Sequence, residues 1–254
     1  MLMLTAMLLL SAAGCGSESE TTSEEPPMRQ TLLFIDRSAS TGAYPNAEAI
    51  FADSLRHLIR TRVRRPGDRL SLFIVHEKTL SKSPRLDLKN QVRALEDKPF
   101  ADEQALETAR YKKELEEEFR RLETEAQAFI DTADRGAFAQ WTDLWGSLGV
   151  ASEELEASAD GAIYYFSDMF ESMPGPGRRD FDASTPQSRA EATEWAAADA
   201  DKLSDLMVLK PDRLTGARVR VLMGPLATKS GAQPVKFYWL ALFDEMGLTR
   251  VDYN

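Results

Sequence analysis

The sequence of 254 residues has few side chains of the kinds that serve nucleophilic catalysis or soft-metal binding. It contains one cysteine, Cys15, and two histidines, His57 and His76, and neither histidine has the Ser or Cys neighbour that nucleophilic catalysis needs. Basic residues are also scarce, with 31 Lys and Arg against 41 Asp and Glu. The net charge of -10 argues against a nucleic-acid partner, because a phosphate backbone requires a basic face.

Long hydrophobic runs are missing as well, apart from the amino-terminal stretch MLMLTAMLLL. This stretch is too short to span a bilayer, but it is typical of a secretory signal, and small residues follow it. Residues 1–14 are therefore predicted to be a signal peptide. With Cys15 next, the segment resembles a bacterial lipobox, although no Lys or Arg precedes the apolar run. The resemblance implies acylation of Cys15 and attachment to a membrane.

Residues 15–28 are expected to form the lipidated cysteine and a flexible linker, because GSESETTSEEPP is polar and acidic and ends in proline. We expect the protein in a bacterial cell envelope. In a host with two membranes, Gly16 after the cysteine resembles the signal for outer-membrane delivery; the periplasmic face is the other possibility. Initiation at Met28 would instead give a cytosolic protein and would leave the preceding segment unexplained.

Residues 29–254 show the hydrophobic pattern of one α/β domain. Continuous apolar runs predict buried strands, and apolar residues at spacings of three and four predict amphipathic helices. The predicted order is a strand at 31–35, a helix at 46–62, a strand at 69–76, a polar edge strand at 79–88, helices at 100–134 and 144–157, a strand at 162–166, a helix at 189–206, a strand at 218–223, a helix at 235–246 and a strand at 248–251. Such alternation predicts a doubly wound, mostly parallel sheet with helices on both faces.

The segment at about 100–135 is expected to be a long, highly charged helical insertion. Its apolar stripe comprises Leu115, Phe119, Leu122, Ala126 and Phe129, and acid and arginine pairs are predicted between residues 116 and 120 and between 117 and 121. Either the stripe packs on the sheet, or the outer part of the helix projects as a surface for a partner.

Oxygen-bearing side chains follow two predicted strands. Asp36 opens the turn Asp36-Arg37-Ser38-Ala39-Ser40, and Asp168 follows the strand at 162–166. In doubly wound sheets, ligands bind beyond the carboxyl ends of the strands. A carboxylate with hydroxyl groups is a hard oxygen set, which suits Mg²⁺, Mn²⁺ or Ca²⁺.

These motifs resemble the von Willebrand factor type A (vWA) family, whose metal-ion-dependent adhesion site combines Asp-x-Ser-x-Ser, a later Thr and a later Asp. Asp36, Ser38 and Ser40 match the first motif, Thr142 in WTDL the second and Asp168 in Ser-Asp the third. The resemblance covers about residues 29–252 and implies a Rossmann-like fold in which these five residues hold the metal. The sequence departs from the family in having Met169 where Gly often stands.

The resemblance implies a binding protein and not an enzyme. A site with neutral hydroxyls leaves a dication incompletely neutralised, so an acidic residue of a partner protein is expected to complete it. The lipid anchor makes the membrane a second partner, and the oligomeric state is open. The loop at 171–188, which lies beside Asp168, is a candidate for selecting the partner.

Two other functions are possible. The chain could be a metal-free structural lipoprotein that uses the fold as a scaffold. It could also be a phosphatase of the haloacid dehalogenase type, but those enzymes use Asp-x-Asp, and here Ser38 replaces the second acid that would donate the proton. Asp36, Ser38, Ser40, Thr142 and Asp168 could also be ordinary turn and helix-capping residues.

Overall fold

The computed structural model describes residues 26–42, 46–82, 84–133, 141–223 and 231–253. The predictions for the signal peptide, for Cys15 and for most of the linker lie outside these residues. The strands are β1 (Arg29–Asp36), β2 (Arg69–Val75), β3 (Arg85–Lys89), β4 (Asp160–Phe166), β5 (Arg218–Val221) and β6 (Arg250–Tyr253). The helices are α1 (Ala39–Gly42), α2 (Ala47–Arg62), α3 (Thr79–Lys82), α4 (Ala101–Ala133), α5 (Leu144–Glu154), α6 (Arg189–Leu206), α7 (Pro211–Leu214) and α8 (Ala232–Glu245).

The strands form one six-stranded sheet in the order β3-β2-β1-β4-β5-β6. Neighbours pair in parallel except for β2 and β3, which are antiparallel. The chain leaves β1 toward β2 and leaves β4 toward β5, in opposite directions along the sheet. The switch point of this doubly wound sheet therefore lies between β1 and β4, where ligands bind in such folds. The predicted α/β class and mostly parallel sheet are confirmed.

The central strand β1 is buried on both faces, as its continuous apolar sequence predicts. Leu32 and Phe34 belong to a core that includes side chains of α5, α6 and α8. Leu33 and Ile35 belong to a second core that includes side chains of α2 and α4. Since successive side chains of a strand point to opposite faces, one sequence run contributes to two cores.

Helix α4 has 33 residues and confirms the predicted long helix. Its packed stripe is Leu115, Phe119, Leu122, Ala126 and Ile130, so Ile130 takes the buried place that was expected of Phe129, which is only partly buried. The predicted ion pairs were also wrong, because the arginine at 121 pairs with acids at 118 and 125, and the acid at 116 pairs with α2. The carboxyl-terminal half of α4 therefore packs on the domain as part of a helical layer.

The sequence predicted one edge strand at 79–88, and this prediction was wrong. The first part of this segment forms the short helix α3, because Thr79 donates through its hydroxyl to the His76 carbonyl and accepts from the His76 N–H, which starts a helical turn. Only β3, after Pro84, pairs with β2 at the edge of the sheet. Helix α5 also ends earlier than expected, at Glu154 and not near residue 157.

Candidate functional site

Asp36 lies at the carboxyl end of β1 and is 1% exposed. The pairing of β1 with β4 places Ile35 opposite Phe166, and Asp36 and Ser167 follow this pair in the chain. The Ser167 hydroxyl donates to Asp36 Oδ2 at 2.7 Å, and the Ser38 N–H donates to Oδ1 at 2.8 Å. The segments that follow β1 and β4 therefore hold the Asp36 carboxylate from two directions at the switch point.

The turn after Asp36 gathers hydroxyl groups. Ser38 Oγ lies 3.1 Å from Ser40 Oγ and 3.3 Å from Thr41 Oγ1. The turn therefore brings together Asp36, Ser38 and Ser40, three of the five predicted ligands. Thr41, which is 3% exposed, was not predicted. The sequence signal that could have identified Thr41 is its position directly after Ser40. A helical turn such as α1 can bring neighbouring hydroxyl groups to the same end of the helix.

Asp168 is 3% exposed and follows β4 by two residues. Its Oδ1 accepts a hydrogen bond from the Phe170 N–H at 3.1 Å. Burial raises the pKa of Asp36, and the like charge of Asp168 raises it further, so the two carboxylates are close enough to repel each other. Two buried acids thus lie at or just beyond the carboxyl ends of the neighbouring strands β1 and β4, and a bound cation would relieve their repulsion.

Met169, directly after Asp168, has a backbone conformation that favours glycine. Its φ of 62° lies in the left-handed region, which costs a residue with a side chain about 1–2 kcal/mol. The side chain is fully buried, and Trp239 of α8 donates from Nε1 to the Met169 carbonyl at 2.6 Å. The turn that positions Asp168 is therefore kept in a strained conformation by packing and by one hydrogen bond from the last helix.

Thr142 is 3% exposed and lies two residues before α5. Its N–H donates to Ser172 Oγ at 2.9 Å, and the Ser172 N–H donates to the Thr142 carbonyl at 3.1 Å. These bonds place Thr142 beside the segment that follows Asp168. That Thr142 and Asp36 bind the same metal ion stays a prediction.

The loop beyond Asp168 is anchored by charged groups that the sequence analysis missed. Glu171 is fully buried and accepts from the Leu144 and Trp145 N–H groups at the amino end of α5. Arg178 donates to both Glu171 and Asp143. Burial and the nearby Asp143 carboxylate raise the pKa of Glu171 to about 8, while Arg178 and the Trp145 N–H oppose the shift. The predicted loop 171–188 is therefore tied to the helix that follows Thr142.

The residues at this edge have the chemistry of a hard-metal site. Asp36 and Asp168 supply carboxylate oxygens and Ser38 and Ser40 supply hydroxyl oxygens, which fit Mg²⁺, Mn²⁺ or Ca²⁺ better than a soft metal. Within the described residues there is no cluster of three or more His, Cys, Asp or Glu side chains suited to a metal. A cation here would therefore depend on the hydroxyl groups for part of its ligand set.

No helix in the described part of the chain combines the length and apolarity required to cross a membrane. A scan against protein-family models found no match. A search of curated proteins found none either.

Among solved structures, the chain is similar to the crystal structure of the human COPII-coat protein Sec24c, with 12% identity and a TM-score of 0.37. The similarity covers 91% of this chain and 30% of that one, so the chain spans under a third of the length of the coat protein. At this level of similarity the match supports no conclusion about family or function.

Proposed function

We propose that the chain is a divalent-cation-dependent protein-binding module of the vWA type and not an enzyme. The single observation that carries the proposal is the pair of buried carboxylates, Asp36 and Asp168, at the switch point of the sheet, with the Ser38 and Ser40 hydroxyls beside the first of them. Two like charges are costly to bury together, and a site that keeps them is a candidate for a cation.

The residues that would hold the cation are Asp36, Ser38, Ser40, Thr142 and Asp168. Mg²⁺ fits this oxygen set, as do Mn²⁺ and Ca²⁺. When bound, the cation would supply a positive charge that attracts a Glu or Asp of a partner protein. The residues of this chain orient the oxygens: Ser167 and the Ser38 N–H fix Asp36, and the Met169 turn fixes Asp168.

The proposed location is a bacterial cell envelope, with Cys15 acylated and the linker to residue 28 separating the domain from the membrane. This part of the proposal rests on the lipobox-like sequence alone. Metabolic labelling with a fatty acid would test it: label is expected in the native chain and absent from Cys15→Ser. Equal labelling of both would contradict the anchor.

Isothermal titration calorimetry of the purified chain with Mg²⁺ tests the metal site. We expect binding by the native chain and by Asp53→Ala, which removes an exposed acid of α2, and no binding by Asp36→Ala. Thr142→Ala should bind more weakly, because one oxygen ligand is lost. Circular dichroism of each variant controls for folding.

The rival functions correspond to defined outcomes. If the native chain gives no heat with Mg²⁺, Mn²⁺ or Ca²⁺, the chain is a metal-free scaffold and the proposal is wrong. Hydrolysis of p-nitrophenyl phosphate that is lost in Asp36→Asn would instead establish the phosphatase. We expect no hydrolysis, since Ser38 stands where the proton-donating acid would be.

A further inference from the structure

We propose that a cavity beside Asp36 selects the partner by accepting an apolar side chain within two residues of the carboxylate that completes the metal site. The inference rests on the proposed function and names the peptide chemistry that this function requires. The cavity beside Asp36 has a volume of about 490 Å³, and Asp36 and Ser38 form part of its wall. The cavity therefore opens directly at the candidate metal site.

The floor of the cavity is apolar. Phe51 of α2 and Phe166 at the end of β4 pack edge to face with ring centroids 4.7 Å apart, and Ile130 near the end of α4 also lines the cavity. These three side chains belong to the core between the sheet and the two helices. A ligand atom that enters the cavity thus meets the outer surface of a hydrophobic core, where an apolar side chain is favoured.

The rim of the cavity carries an excess of negative charge. Glu48 of α2 and Asp131 of α4 line it together with Arg37, whose guanidinium lies within electrostatic reach of both acids and of Asp36. A second carboxylate of a ligand would be repelled by this rim. The cavity therefore favours a neutral side chain next to the one acidic residue that the cation attracts.

Chain geometry limits where the apolar residue can lie. An extended peptide advances about 3.3–3.6 Å per residue, so side chains one or two positions from the carboxylate can reach a cavity that shares a wall with the metal site. A partner peptide is favoured over a larger folded surface because the cavity is concave and is lined by residues of two helices, α2 and α4. The predicted recognition element is one Glu or Asp with a Leu-sized neighbour.

The test uses the purified full chain in Mg²⁺ and five-residue peptides that are capped at both ends. Each has Glu at the centre, and Leu or Ala at one of the other four positions with glycine elsewhere. At least one leucine peptide is expected to bind about tenfold more tightly than its alanine counterpart, because the additional methylene and methyl groups leave water. A peptide with Glu in place of that Leu should bind more weakly than the alanine peptide.

Two variants of α2 locate the effect. Ala52 lines the cavity, and Ala52→Leu should fill it and remove the advantage of the leucine peptide. Ala49 is exposed on the same helix, and Ala49→Leu should leave the advantage unchanged. Both substitutions introduce a good helix former, so α2 is expected to remain intact.

The outcomes separate this inference from the proposed function. If the peptides bind only in Mg²⁺ but leucine and alanine peptides bind equally, the metal site stands and the cavity has no selective role. An advantage that persists in Ala52→Leu, or in the presence of a chelator, also overturns the inference. Absence of both Mg²⁺ binding and peptide binding contradicts both proposals.

Discussion

The two faces of the sheet support the candidate site by different means. On the face covered by α5, α6 and α8, buried charged and polar side chains form directed hydrogen bonds. Asp199 of α6 is fully buried and accepts from Arg179 and from the Tyr238 hydroxyl, which in turn accepts from Trp145 Nε1. The neighbouring Arg178 forms ion pairs with Asp143 at the start of α5 and with Glu171 in the segment after β4. Directed hydrogen bonds and ion pairs therefore hold this face in place, in addition to hydrophobic burial.

The face covered by α2 and α4 depends mainly on apolar packing near the site. Arg60 of α2 forms ion pairs with Glu116 and Glu123 of α4, but these lie at the solvent boundary, where the three side chains are between 25% and 49% exposed. Ion pairs of this kind contribute little to stability. The Asp168 side of the site therefore has a rigid support, and the Asp36 side borders a cavity between two helices.

The largest expected effect comes from breaking the buried charge network. Arg178→Met should lower the free energy of unfolding by about 3 kcal/mol, because the buried acids Glu171 and Asp143 then lose their cationic partner. The matched change on the other face, Arg60→Met, should cost about 1 kcal/mol or less. Urea denaturation measures both. Equal losses would show that the two faces do not differ as described.

The bond from α8 to the Met169 carbonyl is expected to have the next largest effect. Trp239→Phe keeps an aromatic ring but removes the Nε1 donor, and it should cost about 2 kcal/mol because a buried carbonyl loses its partner. Tyr111→Phe on α4 removes a hydroxyl in an exposed contact and should change stability by about 0.5 kcal/mol or less. Thermal unfolding of the two variants tests this order.

The strained turn at Met169 predicts a reversal of the usual order of alanine and glycine. Both Met169→Ala and Met169→Gly lose a buried side chain, but the glycine variant should be more stable by about 1 kcal/mol because only glycine adopts φ of 62° without strain. At the buried residue Met207, whose φ is -145°, glycine should give no such advantage. Urea denaturation of the four variants decides whether the turn is strained.

The smallest expected effect concerns Asp36, at the carboxyl end of β1 between the two faces of the sheet. In a chelator, Asp36→Asn should stabilise the protein by about 1 kcal/mol, because it removes one of two buried negative charges and keeps the shape of the side chain. Asp53→Asn, at an exposed acid of α2, should have no measurable effect. A loss of stability in Asp36→Asn would mean that its two hydrogen bonds outweigh the repulsion from Asp168.

Most of the fold could be predicted because periodicity and local chemistry agree. The run from residue 31 to 35 predicted β1, and α6 begins and ends where its pattern indicated, at Arg189 and Leu206. The prediction of one strand at 79–88 was wrong because the hydroxyl of Thr79 starts a helical turn, which the hydrophobic pattern does not reveal. The exchange of Phe129 for Ile130 in the core depended on how α4 lies against the sheet.

The sequence by itself determined the strand ends near Asp36 and Asp168, since each continuous apolar run stops at polar residues, at Asp36 after β1 and at Ser167 and Asp168 after β4. It also determined the hard-oxygen character of the predicted ligands. Only the tertiary structure decided that the two carboxylates repel each other, that the buried acids Glu171 and Asp199 pair with Arg178 and Arg179, and that a cavity opens beside Asp36. These features depend on distances between residues far apart in the chain, which periodicity does not encode.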